Sequence, residues 1–183
     1  MRPVLLVVGG TPIGNGKTWA YPAGESLGTF IVPIYNLDMI GTDENNNKIK
    51  FSYSVYRFGM HCSDGKTAKV VGLAEKQEHV IKSWIPTYSV HSSTSIEDGA
   101  WQVYDNFLIH DGPDNPNSNS GLYASIGCIE ILGKNKFNDF NDKIIQLAAP
   151  QFKSRTQNLI SIAATKSLKI RYEKADRPLP KHF

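Results

Sequence analysis

A histidine and a cysteine on either side of a polar loop carry the chemistry this sequence could perform. His110 closes the run Phe107-Leu108-Ile109, and Cys128 opens the run Ile129-Glu130-Ile131-Leu132, 18 positions later (128 − 110). Strand ends joined by a loop can lie side by side, so the two side chains could meet. Cysteine reacts as its thiolate, and a neighbouring imidazole lowers the thiol pKa and serves as the base. The same ring can later protonate a leaving amine. Gly127 lets the backbone turn sharply and leaves room for a substrate carbonyl. The N–H groups around Gly127 and Cys128 could donate to the oxyanion of a tetrahedral intermediate, with the Ser125 hydroxyl adding a hydrogen bond.

Around this pair stand Asp111, Gly112, Ile126 and His91 as candidate rim residues. His91 could line the cleft from a neighbouring strand, although a surface or packing role is the expected one. Asp111 could orient His110, but successive strand residues point to opposite faces, so a backbone carbonyl is an equal candidate. Taken singly, Cys128 reads as one of the many buried cysteines of apolar strands, and His110 as a histidine at a strand edge. The glycine, the serine and the loop together favour the catalytic reading.

The elements that must position these residues are mostly strands. Residues 4–8 read as a short buried strand and 27–34 as another. Asn45-Asn46-Asn47 is a turn into Ile49, Phe51, Tyr53 and Val55, which alternate as a half-buried strand should. Trp101 to Tyr104, the turn Asp105-Asn106 and Phe107 to His110 read as a hairpin. Residues 113–121 are loop. Helical spacing comes late, in 138–149 up to Pro150 and more weakly in 158–164. Residues 168–172 predict a last strand. The expected fold is a mainly β sandwich or barrel with one or two helices near the C-terminus, and 1–183 forms a single domain.

His110-Asp111-Gly112, a loop, then Ser125-Ile126-Gly127-Cys128 resembles the signature of the L,D-transpeptidases, the YkuD-like domain that works on peptidoglycan. The firm resemblance covers about residues 107–132. It implies a transpeptidase-like β-sandwich or barrel in which His110 is the base, Cys128 takes the acyl group, and Ser125 and Gly127 shape the nucleophile's turn. The substrates it implies are peptidoglycan stem peptides, with no metal and no organic cofactor. Two positions depart from the family pattern. Ile126 stands where the family usually has histidine, and Glu130 where it often has arginine. That divergence is similar to the transpeptidase effectors of the type VI secretion system, antibacterial toxins injected into rival bacteria. Such a role implies an immunity protein and a secretion apparatus as partners. A wall-peptide amidase or endopeptidase using the same cysteine, and a non-catalytic wall-binding module, are the alternatives.

Other features narrow the field. The 20 basic and 17 acidic side chains are scattered, which is no nucleic-acid footprint. Gly16-Lys17-Thr18 suggests a phosphate loop, but that motif needs glycine five places before Gly16, where Thr11 stands. The loop 111–119 fails the alternation of a calcium site and has no closing glutamate, so it reads as a mobile rim over the site. No cluster has zinc spacing. His61-Cys62 are neighbours on opposite strand faces and cannot readily activate one another. Cys62 is instead expected as a core or surface cysteine, a disulfide to Cys128 being the lesser option. The apolar run after Pro3 stops at Gly9-Gly10, short of the roughly 7–15 residues of a signal core. No stretch reaches the roughly 20 apolar residues of a membrane span. The expectation is a product made in the cytoplasm, without a membrane span, and carried by another route to the periplasm of a target cell.

Overall fold

The computed structural model describes residues 1–89, 97–118 and 126–183. Two of the candidate site residues, His91 and Ser125, lie outside them. The strands run, in chain order, β1 (Val4–Val8), β2 (Gly14–Thr18), β3 (Ala20–Pro22), β4 (Phe30–Thr42), β5 (Lys48–Tyr56), β6 (Gly59–Cys62) and β7 (Lys69–Val71). They continue with β8 (Gln77–Val80), β9 (Ser83–Ile85), β10 (Ala100–Tyr104), β11 (Phe107–Asp111) and β12 (Ile129–Ile131). Two helices, α1 (Lys136–Ala148) and α2 (Arg155–Ala164), precede the last strand, β13 (Leu168–Tyr172). Strand accounts for 41% of the chain against 15% for helix, so the fold is mainly β with two helices near the C-terminus, as expected.

Among the described residues ten strands form one large curled sheet, in the order β8-β13-β1-β4-β5-β12-β11-β10-β9, with β2 joined to β4. The strands β3, β6 and β7 make a second, small sheet. The long strand β4 joins the two ends of the architecture. One edge pairs with β5 over Ile34 to Thr42, while the other takes β2 along Phe30 to Ile34 and β1 along Leu37 to Ile40. The crossover between β1 and β2 falls at Gly9-Gly10, where a side chain on Gly10 would collide with the carbonyl of Lys174.

Side-chain alternation then separates two cores. Val4, Leu6 and Val8 of β1, Leu37 and Met39 of β4, Ile109 of β11, and Ile129 and Ile131 of β12 point to one face. Both helices cover that face. Phe137, Phe140, Ile144 and Leu147 form the buried stripe of α1, at the spacing one helix face requires. The opposite face carries a smaller core of Phe30, Val32, Ile34, Tyr56 and Leu132 against Ala20, Met60 and Cys62 of the small sheet.

Local chemistry sets the element ends. Ala149 stops α1 in the left-handed conformation (φ 54°), its N–H donating to the Ile145 carbonyl, just ahead of Pro150. Ser154 caps α2 by accepting from the Gln157 N–H at 3.4 Å. Arg57, just after β5, is fully buried. Its guanidinium donates to the carbonyls of Gly9 (2.8 Å), Leu73 (2.9 Å) and Ala74 (3.3 Å), and it lies 5.3–5.8 Å from the rings of Tyr35, Phe58 and Tyr172. It ties the β1–β2 crossover to the segment that leads into β8.

Two segments differ from their sequence pattern. Leu27, expected in a strand, closes a 3-10 turn, and the strand that follows runs on to Thr42. Gly16-Lys17-Thr18, the rejected phosphate loop, lies in β2. Its composition hides a strand because pairing with β4, rather than intrinsic preference, holds it extended. Gly16 leaves the space that the Tyr56 ring fills.

Candidate active site

The site is built on the parallel pair β11–β12, whose register sets Ile109 beside Ile129, His110 beside Glu130 and Asp111 beside Ile131. Alternation sends the three isoleucines into the helix-covered core. It sends His110, Glu130 and, two residues before Glu130, Cys128 to the other face. The same register carried back one step sets Cys128 level with Leu108. By that register the motif pair lies on one face of two neighbouring segments, two residues apart along the strands.

His110 is 4% exposed and Cys128 5%. The His110 Nδ1 lies 2.7 Å from the backbone carbonyl of Asp111. A carbonyl only accepts, so Nδ1 carries the proton and Nε2 is left as the basic nitrogen. Of the two candidates for orienting the base, the carbonyl of Asp111 does so. The Asp111 side chain is itself fully buried. Gly112 donates its N–H to the Ile131 carbonyl at 2.9 Å, and a β-carbon there would press within 2.9 Å of the Glu130 β-carbon.

Gly127 adopts φ 95°, the sharp turn expected of it. The room it makes is filled, however, because a β-carbon would come within 2.7 Å of the Gly72 α-carbon and 3.0 Å of the Phe107 ring. The glycine thus answers a close approach of two backbones rather than a substrate carbonyl. Ile126 beside it is 41% exposed, at the rim. The thiol of Cys128 points to the Asn106 carbonyl at 3.8 Å, in the β10–β11 turn.

Electrostatics reverse one expectation. Burial lowers His110 to a pKa of about 4, against the raising effect of its bond to the Asp111 carbonyl. Burial pushes Cys128 up to about 11, with Glu130 adding to the rise and the Leu108 backbone opposing it. The pair therefore rests as neutral thiol and neutral imidazole, not as a preformed ion pair, because a charge on either would be poorly solvated.

The sequence pattern missed two members of this site. Glu130 is 1% exposed, and burial followed by repulsion from Asp111 raises its carboxyl to about 8. An acid framed by Ile129 and Ile131 in an apolar strand was the available signal. Tyr88 packs its ring 5.4 Å from that of His110. Burial, then the nearby Cys128 and Glu130, raise its hydroxyl to about 12. No sequence signal marks it.

The rim loop is better anchored than its composition suggests. Over 113–118, the Pro116 carbonyl accepts from the Lys17 N–H at 2.8 Å, and the Pro113 carbonyl from the Gly133 N–H at 3.0 Å. Cys62 sits apart on β6, its thiol 3.3 Å from Asp64, and neither cysteine is in a disulfide. Among the described residues no group of histidine, cysteine and carboxylate side chains could hold a metal ion, and no helix is long and apolar enough to cross a membrane. No family model matches the chain, and neither a curated protein nor a solved structure matches it.

Proposed function

We propose that this chain is a cysteine acyltransferase of peptidoglycan stem peptides, working as an L,D-transpeptidase or L,D-carboxypeptidase. One observation carries the reading. The β11–β12 pairing brings the segment of His110 beside the residue that leads into β12, Cys128, and the Asp111 carbonyl accepts from Nδ1, leaving Nε2 as a base. The resemblance of His110-Asp111-Gly112 and Ser125-Ile126-Gly127-Cys128 to the L,D-transpeptidases supplies the substrate class.

In this mechanism Nε2 of His110 takes the thiol proton as Sγ of Cys128 attacks the carbonyl of the L-centre of the diamino acid. The tetrahedral intermediate collapses to a thioester, and the imidazolium gives its proton to the departing amine of the terminal D-alanine. An amine acceptor then completes exchange or cross-linking, and water completes carboxypeptidase action. Neither route calls for a metal or an organic cofactor.

The compartment follows from the substrate. Wall peptides lie outside the cytoplasm, and trimming the stems would deprive other transpeptidases of donors. An antibacterial effector delivered by a secretion apparatus and countered by an immunity protein fits that logic. Expression of the chain should be tolerated in the cytoplasm of a test bacterium and harmful with an added periplasmic signal. The harm should vanish with Cys128→Ala, and equal toxicity from both compartments would overturn the placement.

The burial of Cys128 favours one rival, a wall-binding module with a structural cysteine. Mass spectrometry of stem peptides separates the readings. Shortened or exchanged stem termini support the transpeptidase, cleaved cross-links point to an amidase or endopeptidase, and unchanged peptides with intact wall binding point to the module.

A further inference from the structure

Glu130 is a buried acid for which the acyl-transfer reading has so far found no use. It is the register partner of His110 across the parallel pair, and the two side chains leave the sheet on the same face. Its Oε2 is sealed from solvent and meets no hydrogen-bond donor among the described residues. Titratable groups of several described elements surround it. They are His110 and Asp111 from β11, Tyr56 from β5 as its other register partner, Cys128 from the approach to β12, and Tyr88 from the segment after β9. Of these, only the imidazole becomes a cation during acyl transfer.

A buried imidazolium with no anion beside it is costly, because burial removes water and leaves the charge without a partner. Nδ1 already donates to a neutral carbonyl, which orients the ring but supplies no counter-charge. We propose that Glu130 is a positioning residue for His110, its carboxylate facing the ring across β11–β12 and holding the imidazolium formed when Nε2 takes the Cys128 proton. The inference rests on the acyl-transfer reading of Cys128 and His110, but not on the identity of the acyl donor.

Bonds and protons balance without Glu130 exchanging a proton during turnover. The Sγ–H bond breaks and Nε2–H forms. Sγ bonds to the acyl carbon, the bond to the leaving group breaks, and the Nε2 proton departs with that group or to water. The carboxylate stays ionised throughout, so the site works in the form that has already lost the Glu130 proton. The ionised carboxylate also opposes the thiolate. His110 lies directly opposite Glu130, whereas Cys128 is two residues away along the strand, so the nearer cation gains more.

The test uses p-nitrophenyl acetate on the full chain, in a Cys62→Ala background so that Cys128 is the thiol that reacts. The parent acylation rate should climb as Glu130 ionises near pH 8. Glu130→Gln should lose that limb and be at least about tenfold slower at pH 9, with a melting temperature no lower than the parent's. If Glu130→Gln fails to fold, Glu130→Asp, which keeps the carboxylate, should show a rising limb. A Gln variant that tracks the parent at every pH, one slowed by the same factor at every pH, or a folded Asp variant without the limb would overturn the inference. Stem peptides left unchanged by a parent that the ester does acylate would overturn the wall-peptide reading and leave Glu130 in this role.

Discussion

Arg57 and Glu130 are both sealed from solvent and are close neighbours in the sheet, yet their surroundings differ. Arg57 follows Tyr56, the register partner of Glu130. Three backbone carbonyls receive the guanidinium and three aromatic rings enclose it. Glu130 keeps an oxygen without a donor, in a cluster with a thiol, an imidazole and a phenol. A buried polar group with its bonds satisfied is architecture. One left unsatisfied beside a thiol and an imidazole is poised to change its charge state.

The comparison breaks most readily at Arg57. Removing its side chain strands the carbonyls of Gly9 and Leu73, at about 1–3 kcal/mol for each. Arg57→Ala should therefore lower the thermal midpoint by about 10 °C. A variant melting with the parent would erase the contrast with Glu130. On the other side, His110→Ala should slow Cys128 acylation about 100- to 10,000-fold while the fold is kept. Burst kinetics with an activated ester read this directly, and an undiminished burst would remove His110 from the site.

A smaller effect comes from pH. Glu130 has a folded pKa of about 8 against an ordinary 4.5, so the unfolded chain releases this proton first. Its contribution to stability is complete below about 4.5 and is lost as pH rises to about 8. His110 has the opposite sign. Its folded pKa of about 4 lies below the ordinary 6.5, so stability is lost as pH falls between those values. Glu130→Gln should then melt a few degrees above the parent at pH 8, with the gap closing towards pH 4.5. Scanning calorimetry at the two pH values checks it, and a constant gap would mean that Glu130 does not titrate as its surroundings dictate. Smallest of all, Cys62→Ala should cost about 1 kcal/mol, from a small buried side chain, and keep the acylation rate. Loss of activity there would move the chemistry to the wrong thiol.

Much of this arrangement was legible in the sequence because local signals agreed with the fold. The hairpin from Trp101 to His110, the alternation of 49–55 and the stripe of α1 all fell where their periods indicated. What escaped depends on pairing between distant segments. The strand nature of Gly14–Thr18 comes from β4, and the continuation of β4 to Thr42 comes from β1 and β5. The His110–Cys128 pair was legible as a motif, but its parallel register, and with it the place of Glu130 beside the base, is a property of the sheet. The protonation states were misjudged for the same reason. A motif says that imidazole and thiol are neighbours, while burial on both sides keeps both neutral.

The central claim is that Cys128 carries an acyl group from a wall stem peptide. Purified peptidoglycan fragments incubated with the parent and with Cys128→Ala, then read by mass spectrometry, test it most directly. The parent should release terminal D-alanine or exchange it, with a thioester-linked peptide trapped on Cys128 at early times, and the folded Cys128→Ala variant should do neither. Stem termini that change equally with both proteins, or with neither, would contradict the claim.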